Sequence, residues 1–254
     1  MHANFLELVF TAIGGLILGS FLNVVIHRLP RGESLVRPGS HCPHCGVSLR
    51  PWDNVPLVSW LVLRGRCREC GEPIAARYPL VEVATALLFV AVVALRDSTV
   101  GIVLGLALVA VLVPAALIDL DHRIIPNRLL LPAAAVAILA GTALDPAGEP
   151  ERLIAAAAAG GFLLLAVLAY PRGMGMGDVK LAAVMGLFLG RAVGPAMLGA
   201  LVVGVAVGAV VIARHGAVRG RKTAVPFGPM LGLGGLVGLF AGGAIVSWYL
   251  ATFA

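Results

Sequence analysis

Long apolar stretches alternate with short polar connections along most of the chain. They lie at about 5–26, 79–95, 100–118, 129–144, 153–170, 179–190, 192–213 and 229–252. A helix needs about 20 apolar residues to cross the hydrocarbon core of a bilayer. The pattern therefore predicts an all-α polytopic membrane protein with about eight transmembrane helices. Gly186 and Gly190 interrupt the short 179–190 stretch, so its limits and those of the next stretch are the least defined.

The composition excludes a water-soluble globule. Hydrophobic residues make up 59% of the chain and charged residues 13%, and the mean hydropathy is +0.98. Soluble domains are nearer half apolar and a quarter charged. No Lys or Arg precedes the first stretch and no small-residue cleavage site follows it, so we interpret it as a retained helix. The net charge of +6 is then a signal of topology, and we expect no nucleic-acid partner.

The basic residues indicate which side of the membrane each connection faces. If eight helices alternate in direction, only Arg96, Arg152 and Arg191 of the 19 Lys and Arg fall on one side. Connections rich in Lys and Arg stay in the cytoplasm. The sorting therefore predicts that both termini are outside and that the polar block at residues 28–78 is cytoplasmic.

Four cysteines lie in this polar block, in two C-x-x-C pairs separated by 21 residues. A glycine follows each pair and eases the tight turn that directs two thiolates at one ion. Four thiolates at this spacing are typical of a closed structural zinc site, and a cytoplasmic location argues against disulfides. A thioredoxin-like redox pair is the weaker alternative, because there are two matched pairs and no βαβ pattern. The predicted zinc ligands are Cys42, Cys45, Cys67 and Cys70.

Carboxylates at the ends of two apolar stretches are the second chemical signal, because ionisable groups in a membrane are costly and often functional. Asp119 and Asp121 close the third stretch, and Asp178 opens the sixth after alternating glycines that include Gly175 and Gly177. The alternation of helices places both ends at one depth, on the cytoplasmic side. Glycines leave the backbone unshielded, so that an extended peptide can approach it.

These residues by themselves leave several functions open. In an aspartyl protease, one Asp deprotonates a water while the other, protonated, polarises the scissile carbonyl. A proton- or solute-coupled transporter would also use intramembrane acids, although its acids usually lie nearer the midplane. In a non-catalytic scaffold, Asp178 would only cap a helix and the other two acids would be solvated.

Further motifs occur in order along nearly the whole chain. They are Gly19-Ser-Phe-Leu-Asn-Val-Val-Ile-His-Arg-Leu-Pro30, Arg50-Pro-Trp-Asp-Asn-Val-Pro56, Gly65-Arg-Cys67, Arg77-Tyr-Pro-Leu-Val-Glu82, Ile118-Asp-Leu-Asp-His-Arg-Ile-Ile-Pro126, Gly175-Met-Gly-Asp-Val-Lys180 and Val225-Pro-Phe-Gly-Pro229. With the cysteine pairs, they resemble the type IV prepilin leader peptidase family, membrane aspartyl proteases that also N-methylate their product.

The resemblance implies roles for particular residues. It makes Asp119 and Asp178 the catalytic pair. The residues on supporting motif positions are Asp121, Arg123, Lys180, Gly175 and Gly177. Asn127 stands where many bacterial members carry Asp, and we see no reason why this change would disable catalysis.

The resemblance also implies cofactors and partners. Short family members lack the cysteine block, so its presence implies the two-activity form with S-adenosylmethionine as methyl donor. No glycine-rich nucleotide loop indicates where that donor binds. The implied substrates are prepilin or pseudopilin precursors with a short basic leader and an apolar helix, in the lipid of a bacterial inner membrane.

The expected organisation is a first transmembrane helix at 1–27, a four-cysteine zinc domain at 28–78 and a seven-helix peptidase domain at 79–254. The expected function is leader-peptide cleavage and N-methylation at the cytoplasmic face. A transporter with a zinc-stabilised domain is the alternative.

Overall fold

The computed structural model describes residues 3–171, 174–220 and 225–253, and within these ranges the chain is helical and has no β-strand. Arg172, Gly173, Arg221 and Lys222 lie outside the described residues. The helices are α1 (Phe5–Arg28), α2 (Val58–Val62), α3 (Arg77–Leu95), α4 (Thr99–His122), α5 (Asn127–Leu144), α6 (Glu149–Ala169), α7 (Met176–Leu189), α8 (Val193–Gly220) and α9 (Gly228–Phe253). The chain divides into two compact units, residues 1–97 and 98–254.

The first unit is built on a close antiparallel pair, α1 and α3. A Cβ at Gly15 would lie 2.6 Å from the Cα of Ala86, and a Cβ at Gly19 would lie 2.7 Å from the Cα of Glu82. Only glycine permits the two backbones to approach this closely, which is how helices gain contact in lipid. The cysteine block connects the neighbouring ends of these two helices.

In the second unit, small residues bring α9 against two neighbours at once. A Cβ at Gly234 would lie 2.2 Å from the carbonyl oxygen of Ala196 on α8, and one at Gly235 would lie 2.7 Å from Leu112 on α4. On the far side of the unit, α6 and α7 meet where Gly186 faces Ala156. Backbone-to-backbone contact therefore holds this unit together.

The described residues contain seven helical segments that are long and apolar enough to cross a membrane, and one of them, Met176–Arg214, contains two helices. The chain reverses between them at Gly190, which has a left-handed φ of 55°. The contacts with α9 show the reversal. Along α7, Met185 lies near Gly235 and Leu189 near Gly238, whereas Ala192, just before α8, lies near Gly242 and Gly204 of α8 faces Met230. The predicted eight-helix membrane fold is confirmed.

A buried arginine links α5 and α6 at the end of the second unit opposite to Asp119. The Arg152 guanidinium donates to the Asp145 carboxylate at 2.9 Å, to the Glu149 carboxylate at 3.1 Å and to the Gly141 carbonyl at 3.1 Å. The hydrogen bond from Arg152 is the main reason why the pKa of Asp145 lies below its usual range. Arg191 forms a more exposed pair with Glu151 at the same end.

We expect Arg152→Ala to lower Tm by about 5 °C or more, because it leaves buried acceptors without a donor. The matched control is Arg191→Ala, which breaks an exposed pair and should lower Tm by less than about 2 °C. Thermal unfolding in detergent measures both. Equal shifts for the two variants would show that Arg152 has no special structural role.

Candidate active site and metal site

Asp119 lies in the last turn of α4 and is almost fully buried, with 6% of its surface exposed. The helix ends three residues later because Arg123 adopts a left-handed conformation, φ 55°, and its N–H donates to the Asp119 carbonyl at 2.8 Å. The side chain is held from another helix: the N–H of Gly228 donates to Asp119 Oδ2 at 2.7 Å. This buried bond joins the start of α9 to the end of α4.

Asp178 is the third residue of α7 and is 8% exposed. Its Oδ2 accepts the Gly175 N–H at 3.2 Å, which satisfies one of the donors that every helix leaves unpaired at its start. Its Oδ1 is buried and has no hydrogen-bond partner among the described residues. The carboxyl group therefore caps the helix with one oxygen only.

The connection after α4 brings the two aspartates together. Ile125 packs on Gly177, where a Cβ would lie 3.1 Å from the Ile125 Cβ. Gly177 precedes Asp178, so this contact sets the start of α7 against the end of α4. The two carboxyl groups therefore lie at the same end of the second unit. Two buried carboxyl groups in such proximity can act as an acid and a base on one substrate.

The predicted supporting residues occupy different surroundings. Lys180 donates to Asn127 Oδ1 at 2.9 Å rather than to either aspartate, and this bond joins the starts of α7 and α5. Arg123 is exposed and follows the end of α4. Asp121 is exposed. Of the two glycines, Gly175 is exposed and Gly177 is packed.

Gly228 is the site residue for which sequence reasoning found no role. A Cβ there would lie 2.7 Å from both the Cβ and Oδ2 of Asp119, so only glycine leaves space for the carboxylate. The Val225-Pro-Phe-Gly-Pro229 motif was the available signal. It gave no indication of a partner, because 109 positions separate Gly228 from Asp119.

The four predicted metal ligands meet in the first unit. Their Sγ atoms all lie within 4.8 Å of one another, and Cys42 Sγ and Cys70 Sγ are 3.8 Å apart. Four sulfurs at about 2.3 Å from a tetrahedral zinc ion would be about 3.8 Å from each other. The arrangement fits a four-thiolate metal ion.

The two cysteine turns have the same backbone geometry. The N–H of Gly46 donates to the Cys42 carbonyl at 2.9 Å, and that of Gly71 donates to the Cys67 carbonyl at 3.0 Å. Both glycines are left-handed, with φ 69° and 73°. The equivalence confirms that the repeated C-x-x-C-G pattern builds two matched halves of one site.

The four crowded thiols differ in acidity. Backbone N–H groups of Cys45 and His44 lower the pKa of Cys42 to about 6. The Glu72 N–H acts in the same direction on Cys70, but burial and the neighbouring thiols outweigh it and raise the pKa of Cys70 to about 12. Four crowded thiolates need a cation, and a bound metal supplies that charge.

A membrane helix bundle with a buried aspartate pair, one of them in a G-x-G-D sequence, defines a membrane aspartic peptidase. Two family models match the chain: the bacterial peptidase A24 N-terminal domain over residues 13–95 and the type IV leader peptidase family over residues 106–213. The chain belongs to the type IV leader peptidase family. It is therefore an aspartic peptidase that cleaves leader peptides and has N-methyltransferase activity.

Curated relatives match most of the chain. The prepilin leader peptidase/N-methyltransferase of Aeromonas hydrophila is 38% identical over 94% of this chain and 92% of its own length. That of Pseudomonas aeruginosa is 36% identical over 94% of this chain and 92% of its own length. That of Myxococcus xanthus is 47% identical over 71% of this chain and only 56% of its own length. No solved structure matches the chain.

We expect Gly228→Ala to reduce cleavage of a leader-bearing precursor at least about a hundredfold, because the added methyl displaces the Asp119 carboxylate. Cleavage in membranes, normalised to the amount of inserted protein, measures the effect. The matched control on the same helix is Gly243→Ala, whose Cβ would meet no atom within 4 Å. Near-normal cleavage by Gly228→Ala would mean that the bond to Asp119 is dispensable.

The cysteine site yields a separate prediction. Cys42→Ser and Cys67→Ser should each lose one bound zinc ion per chain and lower the abundance or the methylation activity of the protein. Acidification from about pH 7.5 to about pH 5 should also release the metal, since protons compete for the thiolates. Metal analysis of purified protein measures both, and wild-type protein without zinc would refute the assignment.

Proposed function

We propose that the chain removes the basic leader from type IV prepilin or pseudopilin precursors at the cytoplasmic face of the bacterial inner membrane, and then N-methylates the new amino terminus. The names of the full-length relatives support the substrate class and both activities. The observation that carries the peptidase site is the pair of buried carboxyl groups, Asp119 and Asp178, at one end of the second unit.

Hydrolysis needs one carboxylate and one carboxylic acid. The carboxylate takes a proton from water, whose oxygen forms a bond with the scissile carbonyl carbon, while the acid donates a hydrogen bond to the carbonyl oxygen. Collapse of the tetrahedral species breaks the C–N bond, and the leaving amine takes up a proton. Asp119 and Asp178 fill these two roles. Gly228 holds Asp119 in position, and the free Oδ1 of Asp178 is available to the substrate or the water.

The distribution of charge supports a cytoplasmic location for this end of the second unit. Arg123, Arg128 and Lys180 lie near the starts of α5 and α7, at the end that carries the aspartate pair. Arg152 and Arg191 lie at the opposite end, where acidic residues neutralise them. The positive-inside tendency then favours the aspartate end as the cytoplasmic one.

The second activity uses groups outside the aspartate pair. We assign zinc to Cys42, Cys45, Cys67 and Cys70, as a structural ion that stabilises the cysteine block. S-adenosylmethionine, when bound, supplies the methyl group that the new α-amine receives. The protein must hold this donor and present a deprotonated amine to it.

Replacement of either aspartate tests the peptidase assignment. Asp119→Asn and Asp178→Asn should each abolish precursor cleavage, because an amide keeps the shape of the side chain but cannot transfer the proton. The exposed Asp121→Asn should retain substantial activity. Immunoblots of membranes that contain a precursor measure cleavage, and inserted enzyme is quantified in the same samples. Cleavage near the wild-type rate by either of the first two variants would overturn the assignment.

A further inference from the structure

The two aspartates of the second unit are held in different ways. Asp119 accepts a hydrogen bond from Gly228, which belongs to another helix, α9. In the described part of the chain, the Asp178 carboxyl group accepts only from Gly175, beside the start of its own helix, and its Oδ1 has no partner. The side chain of Asp178 is therefore not tied to another helix. Its position relative to Asp119 depends on how the first turn of α7 is placed.

The connection between α4 and α5 contacts the first turn of α7 at two points. Ile125 packs on Gly177, where a Cβ would lie 3.1 Å from the Ile125 Cβ and 3.4 Å from its backbone nitrogen. Two residues later, Asn127 Oδ1 accepts a hydrogen bond of 2.9 Å from the Lys180 ammonium group. Pro126 lies between them with extended backbone angles, φ −68° and ψ 134°, and its ring restricts φ. A short, stiff piece of chain thus lies against the start of α7.

Both contacts are on one face of α7. Gly177 and Lys180 are three residues apart, and residues with this spacing are neighbours on the surface of a helix. Asp178 is rotated by about 100° from Gly177, so its carboxyl group leaves the helix beside that face. Rotation or sliding of the first turn against the connection would therefore move the carboxyl group directly.

The two contacts restrict different motions. The contact between Ile125 and Gly177 is apolar, and such contacts have no directional preference. The hydrogen bond from Lys180 is directional and charge-assisted, so it resists rotation and sliding of the first turn. Further along α7, contacts with α6 at Ala183 and Gly186 fix the body of the helix. The connection acts on the first turn, where the aspartate is.

We propose that Asn127 and Lys180 are positioning residues of the peptidase. Their hydrogen bond, together with the apolar contact beside it, sets the register of α7 at which Asp178 faces Asp119. The proposal rests on the proposed function, in which these two aspartates are the catalytic pair. Lysine ammonium groups also reach lipid headgroups or attract anionic groups of a substrate, and neither of those roles needs Asn127.

Loss of either partner should therefore have the same effect. In assays of the purified full chain in detergent with a leader-bearing precursor, Asn127→Leu and Lys180→Met should each lower kcat about tenfold, because the carboxyl group is misplaced. KM should change less than about threefold, since the register matters in the transition state rather than in precursor binding. The double variant should be no slower than either single variant, because all three lack the same bond.

Two control variants separate position from charge. Asn127→Asp keeps an acceptor for Lys180 and should retain at least about half of the wild-type kcat. Arg128→Met removes a positive charge from an exposed neighbour of Asn127, and should lower kcat less than about twofold. All the changed positions are exposed, and a Tm within about 2 °C of the wild type establishes that each variant is folded. If Lys180→Met does not fold, the contrast between Asn127→Leu and Asn127→Asp decides the question by itself.

The outcomes distinguish this proposal from the function on which it rests. A wild-type kcat in Asn127→Leu overturns the positioning role, and a slow Lys180→Met with raised KM then indicates that the ammonium group acts on the substrate through its charge. Equal losses in Lys180→Met and Arg128→Met, or a double variant slowed by the product of the two single losses, also overturn it. In each of these cases an inactive Asp178→Asn leaves the aspartate pair intact. Cleavage by Asp178→Asn near the wild-type rate would overturn the pair and the positioning role together.

Discussion

The second unit depends on one buried hydrogen bond, from the N–H of Gly228 to the Asp119 carboxylate. An unpaired carboxylate at this depth would be costly, and so would the first N–H groups of α9, which have no partner within their own helix. The bond gives the Asp119 carboxylate a donor and gives one of these N–H groups an acceptor. Because Gly228 has no side chain, the backbone of α9 can approach Asp119 directly, and this carboxylate is positioned by main chain rather than by a mobile side chain.

This bond needs helices that meet without intervening side chains, and the small residues provide them. Gly234 faces Ala196 and Ala200, and Gly186 faces Ala156, each at a separation that would exclude a Cβ. In lipid, helices gain little from burying apolar surface, so close backbone contact supplies much of the association energy. The glycines that look like compositional bias in the sequence are therefore the packing surface of the bundle. On α9, Gly235 also lies against Leu112 of α4 and Met185 of α7, and these contacts set the register of the three helices that surround the aspartate pair.

The first unit is stabilised in a different way from the second. Its cysteine block has few large buried side chains, and a metal ion held by the four thiols would supply stabilisation that a core of this size lacks. Other fixed points are polar: the Trp60 N–H donates to the Ile74 carbonyl at 3.1 Å, and Arg68 pairs with Asp53. Arg28 organises the segment that follows α1 through three carbonyls.

The sequence by itself determined the features that depend on local chemistry. Apolar runs long enough to cross a bilayer specified the helices, and the repeated C-x-x-C-G pattern specified two equivalent turns with their thiols directed at one point. Asp119 and Asp178 stood out because charged groups are rare in apolar stretches.

The tertiary structure decided what depends on contacts between distant positions. It paired Gly228 with Asp119, turned Lys180 toward Asn127 rather than toward the aspartates, and packed Gly177 on Ile125. Periodicity and spacing report on neighbours along the chain, whereas these contacts arise only when helices far apart in sequence pack at a particular register.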